Sequence, residues 1–371
     1  MSAAPEQHKA ISAPIQAVDA SRIPPAGPVA ILPSDHPNCK RYTSDILSAF
    51  PDPPLAPLSK ETRGVIWLDI SAHAKLGEVL DANPQVGWVQ LVQAGINLYK
   101  DVIHKHNDKV WTSAKGSFGQ PVAEHALMMI LGLLRKIPQR IRSTSWAPAA
   151  GLSLYNRRVT IVGAGGITLA LLSQIAPFSP HVTVLRRRSD PLEDEVIPPG
   201  LKGRVEVDTF KRLHEVLPKT EVLVIAAALT PGTNGMIGAR ELELLPSHAV
   251  LVNVARGEHV QTDAIVEALR KGKLAGAGLD VTAPEPLPEG HPLWNLEVES
   301  DTALEQIDEE LRPSAQEKTG GRRANVIITP HTADTPAMIR PLIVNRFVVN
   351  LKALQEGKGK FEGVVDNEHA Y

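Results

Sequence analysis

The chain has 371 residues, 43% of them hydrophobic, and its 39 Lys and Arg against 41 Asp and Glu give a formal net charge of −2. This length predicts about two domains with a sizeable core, and the balanced charge argues against a nucleic-acid-binding protein, which is usually basic. The single cysteine, Cys39, excludes an internal disulfide and a cysteine-rich zinc site and fits a reducing compartment.

Nothing in the sequence predicts a membrane protein. The longest apolar run, near residues 125–134, is about half the length that a bilayer span needs. Residues 1–30 are rich in Ala and Pro, show no secretory signal, and are predicted to form a loose extension. We therefore expect a cytoplasmic protein without a metal site or a membrane partner.

The first third of the chain alternates strands with helices. Apolar runs broken by polar clusters predict strands over residues 29–32, 64–68 and 87–92. Residues 119–136 predict a helix that is apolar nearly all round, so we expect it to be buried. Burial against a partner subunit is one hypothesis, and burial within the same chain is the other. A linker with Pro148 and Gly151 follows.

The remaining strands are predicted over residues 158–162, 182–185, 222–226, 249–254, 275–280 and 325–329. Their alternation with helical connectors predicts an α/β fold with doubly wound parallel sheets. We divide the chain into a Rossmann-type cofactor domain, residues 119–335, and a smaller discontinuous substrate domain, residues 1–118 with 336–371. The charged stretch 297–324 is interpreted as a solvated surface insertion, and a lid or partner surface is the alternative.

A glycine-rich turn follows the strand at 158–162 and opens a predicted helix. Gly163 allows the tight turn, and Gly165 lets the backbone approach a pyrophosphate. Gly166 and Ile167 begin the helix, whose N-terminal amides favour a phosphate. A plain strand-to-helix turn is the alternative, but the surrounding strands favour a dinucleotide-binding site. Thr168 stands where a third glycine is usual, which predicts a slightly wider spacing between helix and strand.

The next strand ends in Arg186 and Arg187, where an NAD-binding site usually carries an acidic residue for the ribose 2′-hydroxyl. A guanidinium can instead bind a 2′-phosphate through paired hydrogen bonds. The sequence therefore predicts NADP(H) as the preferred cofactor, with NAD(H) possible. The alternative is that these arginines form a solvated basic loop.

Four motifs then follow in order: Val254-Ala255-Arg256-Gly257, a glycine-rich strand that ends at Asp280, Pro284-Glu285-Pro286, and Thr329-Pro330-His331. Together they resemble the D-isomer-specific 2-hydroxyacid dehydrogenases over about residues 85–370. The resemblance implies a reductase of small 2-keto acids such as glyoxylate or hydroxypyruvate. It also implies a flavodoxin-like substrate domain and a homodimer.

The resemblance assigns three catalytic residues. Arg256 would hold the substrate with its planar fork of donors, and His331 would give a proton to the forming alkoxide. Glu285 would accept a hydrogen bond from the other imidazole nitrogen and so fix its tautomer. Each residue alone has an ordinary structural explanation, but their occurrence together favours an enzyme.

Five further residues follow from the resemblance. Ala94 and Gly95 match a loop whose backbone amides bind the substrate carboxylate, although an ordinary strand-end turn would look similar. Asp280 matches the acceptor for the nicotinamide carboxamide, or it binds neighbouring backbone amides. Thr230 lies in a segment that resembles the loop beneath the cofactor, and a helix N-cap is the alternative. Ala255 would line the nicotinamide, and packing in a buried strand end is the alternative.

Two other functions would share this fold. A non-enzymatic relative that senses dinucleotide and recruits protein partners would share the fold. Formate oxidation is disfavoured because that branch of the family departs from the Glu285 and His331 pairing.

Overall fold

The computed structural model describes residues 18, 22–141, 146, 150–298, 322–357 and 360–365. The chain divides into two compact units, residues 1–119 with 335–371 and residues 120–334. Most of the predicted N-terminal extension, and residues 299–321 of the predicted insertion, lie outside the described residues.

The first unit contains a parallel sheet in the order β1-β2-β3-β4. The strands are β1 (Val29–Leu32), β2 (Gly64–Trp67), β3 (Trp88–Leu91) and β4 (Val110–Thr112). The helices are α1 (Cys39–Ala49), α2 (His73–Ala82), α3 (Lys100–Lys105) and, from the C-terminal part of the chain, α10 (Pro336–Glu356).

This sheet is doubly wound because the chain pairs with β1 on both of its sides. After α1, Leu55 pairs in parallel with Val29 on the outer edge of β1, and the chain then crosses to form β2 on the other side. Helices α1 and α10 therefore share one apolar cluster, while α2 and α3 belong to the cluster on the opposite face. Pro54, which has no amide proton, directly precedes Leu55 and limits pairing at this edge.

The second unit contains a seven-stranded parallel sheet in the order β13-β10-β9-β8-β5-β6-β7. Its strands are β5 (Arg158–Val162), β6 (His181–Arg186), β7 (Val205–Thr209), β8 (Val222–Ile225), β9 (Val250–Asn253), β10 (Gly276–Leu279) and β13 (Val326–Ile328). A short antiparallel pair comprises β11 (Glu297–Val298) and β12 (Arg322–Arg323). The helices are α4 (Gly119–Leu134), α5 (Ile137–Arg140), α6 (Gly166–Ile175), α7 (Leu213–Val216), α8 (Ala239–Leu244) and α9 (Thr262–Arg270).

Both parallel sheets confirm the predicted α/β fold class. All nine predicted strands form, with bounds that differ by at most one residue at either end. Strands β4, β7, β11 and β12 were not predicted. β7 is a partly exposed edge strand that carries Glu206 and Asp208, so it lacks the continuous apolar run of the central strands.

Helix α4 departs from its prediction. One face is buried and includes Ala126, Met129 and Leu133, but Glu124 and Met128 on the other face are exposed. In a single copy of this chain, the prediction that α4 is buried on all of its faces is therefore wrong. The apolar composition of α4 does not make it a membrane span, since no helix among the described residues is long and apolar enough to cross a bilayer.

Candidate active site

The three predicted catalytic residues lie beyond the carboxyl ends of three neighbouring strands. Arg256 follows β9, Glu285 lies in the loop after β10, and His331 follows β13. The first two loops pass very close together at Gly257, where a Cβ atom would lie 2.0 Å from the carbonyl oxygen of Thr282. Glycine at this position therefore permits the approach that brings the Arg256 loop beside the loop carrying Glu285.

His331 and Glu285 form a direct pair. The distance from Nδ1 to Oε1 is 2.6 Å, and the two side chains are 48% and 42% exposed. An ionised carboxylate only accepts hydrogen bonds, so Nδ1 donates, and Nε2 is the ring nitrogen that Glu285 does not hold. The pair therefore sets both the tautomer and the direction of the imidazole.

The backbone of His331 is left-handed, with φ 52°. This conformation costs a non-glycine residue about 1–2 kcal/mol. The His331 amide offsets that cost by donating to the carbonyl oxygens of Asp280 at 2.7 Å and Thr329 at 2.9 Å. Strained residues held in this way are typical of functional sites.

Arg256 is held through its backbone. Its carbonyl oxygen accepts from Asn253 Nδ2 at 2.8 Å and from His259 Nδ1 at 3.0 Å, while Asn253 Oδ1 accepts from the Ala255 amide at 3.1 Å. The guanidinium donates from Nη1 to the Ala255 carbonyl at 2.6 Å. The sequence reasoning missed Asn253 and His259, although an asparagine at the end of a buried strand was an available signal.

Asp280 lies at the end of β10 and is 2% exposed. Its Oδ1 accepts from Thr329 Oγ1 at 2.6 Å and from the Thr332 amide at 2.9 Å, and its Oδ2 accepts from the Ala333 amide at 3.3 Å. The structure therefore bears out the binding of backbone amides that the sequence offered as one role for Asp280. This role is compatible with acceptance of a hydrogen bond from the nicotinamide carboxamide, since Oδ2 can accept from a further donor.

A second carboxyl near Asp280 is Asp334. Burial raises the pKa of Asp334, the nearby His331 acts against this effect, and the charge of Asp280 raises the pKa further. This edge of the sheet therefore carries a titratable carboxyl in addition to the predicted catalytic residues.

The glycine-rich turn fits a dinucleotide pyrophosphate. Gly163 has φ 112°, and a Cβ there would lie 2.4 Å from the Ala226 carbonyl oxygen, so only glycine suits this turn. At Gly165 the backbone is extended, and a Cβ would meet no atom within 4 Å. The first turn of α6 begins beside this open space, at Gly166 and Ile167, and has no side-chain cap. An anion placed there would meet backbone donors and the positive end of the helix.

The wider spacing expected between α6 and the strand at Thr168 stays a prediction. The Thr168 side chain is fully buried, and its hydroxyl donates to the Gly163 carbonyl oxygen at 3.0 Å. A threonine in place of the third glycine therefore links α6 to the turn by a hydrogen bond.

The three arginines after β6 differ in their surroundings. The Arg186 side chain is 8% exposed, and its Nε donates to the Arg188 carbonyl oxygen at 3.0 Å. Burial is the main cause that lowers the pKa of Arg186. Arg187 and Arg188 are exposed, and Arg188 pairs with Asp190 at 3.5 Å. Arg186 thus supports the loop, and phosphate binding by Arg186 and Arg187 stays a prediction.

Four other predicted residues have less specific surroundings. Thr230 opens a turn in which its amide donates to Thr233 Oγ1 at 2.9 Å, and the next helix begins only at Ala239, so the N-cap alternative is wrong. Ala255 is buried. Ala94 and Gly95 follow β3 in the first unit, where Ala94 is half-buried and Gly95 exposed. Their roles in binding cofactor or substrate stay predictions.

Comparison with known proteins shows which family this chain resembles. Residues 127–300 match the family model "D-isomer specific 2-hydroxyacid dehydrogenase, NAD binding domain". An uncharacterised protein from the proB 3′ region of Corynebacterium melassecola is 31% identical over 76% of this chain and 83% of its own length. The human glyoxylate reductase/hydroxypyruvate reductase is 33% identical over 47% of this chain, and the match spans only 53% of that protein.

The fold also matches solved structures. A D-isomer specific 2-hydroxyacid dehydrogenase from Xanthobacter autotrophicus Py2, solved with NADPH and MES, superposes with a TM-score of 0.69. The match covers 93% of this chain and 100% of that structure at 24% identity. This likeness shows the fold.

Proposed function

Because the chain belongs to the D-isomer-specific 2-hydroxyacid dehydrogenase family, we propose that it reduces a small 2-keto acid to a D-2-hydroxy acid with a nicotinamide cofactor. The observation that carries the proposal is the His331 and Glu285 pair, 2.6 Å apart, which lies beyond the carboxyl ends of β13 and β10, while Arg256 follows β9, the next strand of the sheet. Carboxyl ends of strands are where open α/β sheets bind ligands. Glyoxylate and hydroxypyruvate are the substrates we propose to test first.

His331 is the proton donor in this proposal. Glu285 holds Nδ1, so the proton transferred to the carbonyl oxygen leaves from Nε2. The carbonyl carbon gains a hydride and its oxygen gains this proton, which completes the hydroxyl group. In the oxidative direction Nε2 takes the proton back.

Arg256 binds the keto acid. Arg256 is half-buried and its guanidinium is bonded to a backbone carbonyl, so a substrate carboxylate would replace that carbonyl as the acceptor. A charge-assisted bond of this kind is shorter and stronger than a neutral one. The hydrogen bonds from Asn253 and His259 to the Arg256 carbonyl keep the loop in place during this exchange.

The cofactor is held by the second unit. The turn at Gly163, Gly165 and the start of α6 binds the pyrophosphate, while Asp280 accepts a hydrogen bond from the nicotinamide carboxamide. When bound, the reduced nicotinamide supplies the hydride. Open space at Gly165 and an uncapped helix start support this placement.

We propose NADP(H) as the preferred cofactor. Arg187 and Arg188 are exposed, so Arg187 provides the first contact to a 2′-phosphate and Arg188 adds positive charge, while Arg186 supports the loop through its bond to the Arg188 carbonyl oxygen. A 2′-phosphate carries nearly two negative charges and forms charge-assisted hydrogen bonds with guanidinium groups.

The preference is tested by the ratio of kcat/KM for NADPH to that for NADH at one salt concentration. Arg187→Asp should lower the ratio at least tenfold, about the effect of one charged contact. Lys202→Asp is the matched control, since it makes the same charge change at an exposed position before the amino end of β7, whereas Arg187 follows the carboxyl end of the neighbouring strand β6. A wild-type preference for NADH would contradict the proposal.

The proposed enzymatic activity is tested by following nicotinamide absorbance with glyoxylate, hydroxypyruvate and pyruvate, and with formate in the oxidative direction. We expect reduction of at least one keto acid and no oxidation of formate. Cofactor binding without turnover on any of these substrates would favour the dinucleotide sensor instead.

We also propose that the chain forms a homodimer through the exposed side of α4. Met128, Ile137, Ile141 and Trp294 line one groove of the second unit and are 45%, 46%, 72% and 42% exposed. An apolar groove of this kind is typical of a protein interface. Light scattering after size exclusion should give a dimer for the wild type and a monomer for Met128→Glu. Leu47→Glu, an equally exposed apolar position in the first unit, is the control, and a wild-type monomer would contradict the proposal.

A further inference from the structure

Helix α4 carries one imidazole, His125, among its apolar residues. The side chain is 16% exposed, and its Nε2 lies 2.9 Å from Thr329 Oγ1 and 3.5 Å from Asp280 Oδ1. Sequence reasoning assigned no role to His125 or to the Thr329 hydroxyl. The two side chains are separated by 204 positions along the chain, so nothing local predicted that they meet.

The meeting depends on a glycine in β10. A Cβ on Gly278 would lie 3.0 Å from both Cβ and Sδ of Met129, so the absence of a side chain lets α4 lie close against the strand. Met129 is one helical turn after His125 and shares its face. Gly278 and Asp280 likewise share one face of the strand. The contact of Met129 with Gly278 therefore brings His125 to Asp280.

The hydrogen bonds have a defined direction. The Thr329 hydroxyl has one proton, and it donates this proton to Asp280 Oδ1 at 2.6 Å. Thr329 Oγ1 can therefore only accept from His125, whose Nε2 must carry a proton. The result is a relay in which His125 donates to Thr329 and Thr329 donates to Asp280. Such chains strengthen each member through polarisation.

We propose that His125 is a positioning residue for the nicotinamide end of the cofactor. By keeping the Thr329 hydroxyl directed at Oδ1, it fixes the carboxylate plane of Asp280 and leaves Oδ2 to accept from the carboxamide. This inference rests on the proposed function, because it assigns Asp280 to the nicotinamide. It predicts a defect confined to that end of the cofactor.

The test compares two ligands by titration calorimetry. NADPH has the nicotinamide, whereas 2′-phospho-ADP-ribose shares the rest of the molecule and lacks it. If the wild type prefers NADH, then NADH and ADP-ribose replace them. His125→Ala should weaken NADPH binding about 2- to 10-fold, the value of one hydrogen bond, and leave binding of 2′-phospho-ADP-ribose unchanged. His125→Gln, which retains an amide donor near the position of Nε2, should restore most of the affinity.

A double variant separates a relay from two independent contacts. Thr329→Val should reproduce the selective loss, and adding His125→Ala to it should weaken NADPH binding no further. Glu124→Ala is the control, an exposed neighbour on the same helix. If the His125 variants lose affinity for both ligands equally, or lose none, the inference is wrong. If the wild type binds neither ligand, the proposed cofactor use is itself refuted.

Discussion

Two glycines of the cofactor turn should respond oppositely to the same substitution. At Gly165 the backbone is extended, with φ −90°, and an added methyl group would meet no protein atom within 4 Å. At Gly163 the backbone has φ 112°, and a methyl group would lie 2.4 Å from the Ala226 carbonyl oxygen and 2.8 Å from the Ala227 Cα. Gly165→Ala therefore tests cofactor binding, and Gly163→Ala tests the fold.

The magnitudes follow from these contacts. Gly165→Ala should raise the free energy of unfolding by about 0.4–1 kcal/mol, since alanine restricts the unfolded chain at a compatible position. The same methyl group occupies space that a pyrophosphate would use, and overpacking of about 1–3 kcal/mol corresponds to a Kd raised about 5- to 150-fold. Gly163→Ala combines a forbidden φ with a backbone clash, which together cost about 2–6 kcal/mol.

Thermal unfolding without ligand and fluorescence titration with NADPH measure the two effects separately. Gly163→Ala should lower Tm by at least about 4 °C for a unit of this size, whereas Gly165→Ala should keep the wild-type Tm or exceed it. A Gly165→Ala protein that binds NADPH as well as the wild type would refute the pyrophosphate placement. A Gly163→Ala protein of unchanged Tm would refute the close approach to Ala226.

Three further predictions concern single side chains. His331→Asn, which tolerates a positive φ, should lower kcat about 10²- to 10⁴-fold with little change in NADPH binding, and a kcat within a few-fold of the wild type would contradict the proton role. Arg256→Lys should raise the keto-acid KM at least tenfold, because the ammonium cannot reproduce a two-pronged contact, and an unchanged KM and kcat would contradict the substrate role. Burial raises the pKa of Glu221, but bonds from His248, the Arg158 amide and Arg157 outweigh this effect and lower the pKa to about 2. The ionised form therefore stabilises the fold above the unfolded pKa, and this contribution is lost as the pH falls towards 2. Glu221→Gln should lower the free energy of unfolding by at most about 3 kcal/mol near neutral pH. In urea titrations that loss of free energy should be smaller in acid than near neutral pH. An equal loss under the two conditions would contradict the lowered pKa of Glu221.

Several features were predictable because their cause is local. Gly163 must be glycine for its own backbone to turn, and the central strands of each sheet are continuous apolar runs because both of their faces are buried. The edge strand β7 lacks this signal, since its alternating charged residues reflect a partly exposed position that only the completed sheet defines. Helix α4 was predicted as a helix, but which of its faces is covered depends on the strands packed against it.

The sequence by itself predicted the type of fold and the order of the chemical motifs, and these motifs singled out Arg256, Glu285 and His331 as catalytic candidates, because each motif is a run of residues within a few positions of one another. Only the tertiary structure decided that Arg186 supports its own loop, that Thr168 binds the turn, and that His125 meets Thr329. Hydrogen bonds form between atoms about 3 Å apart. His125 and Thr329 come this close because α4 packs on Gly278 of β10, and their positions along the chain do not reveal this contact.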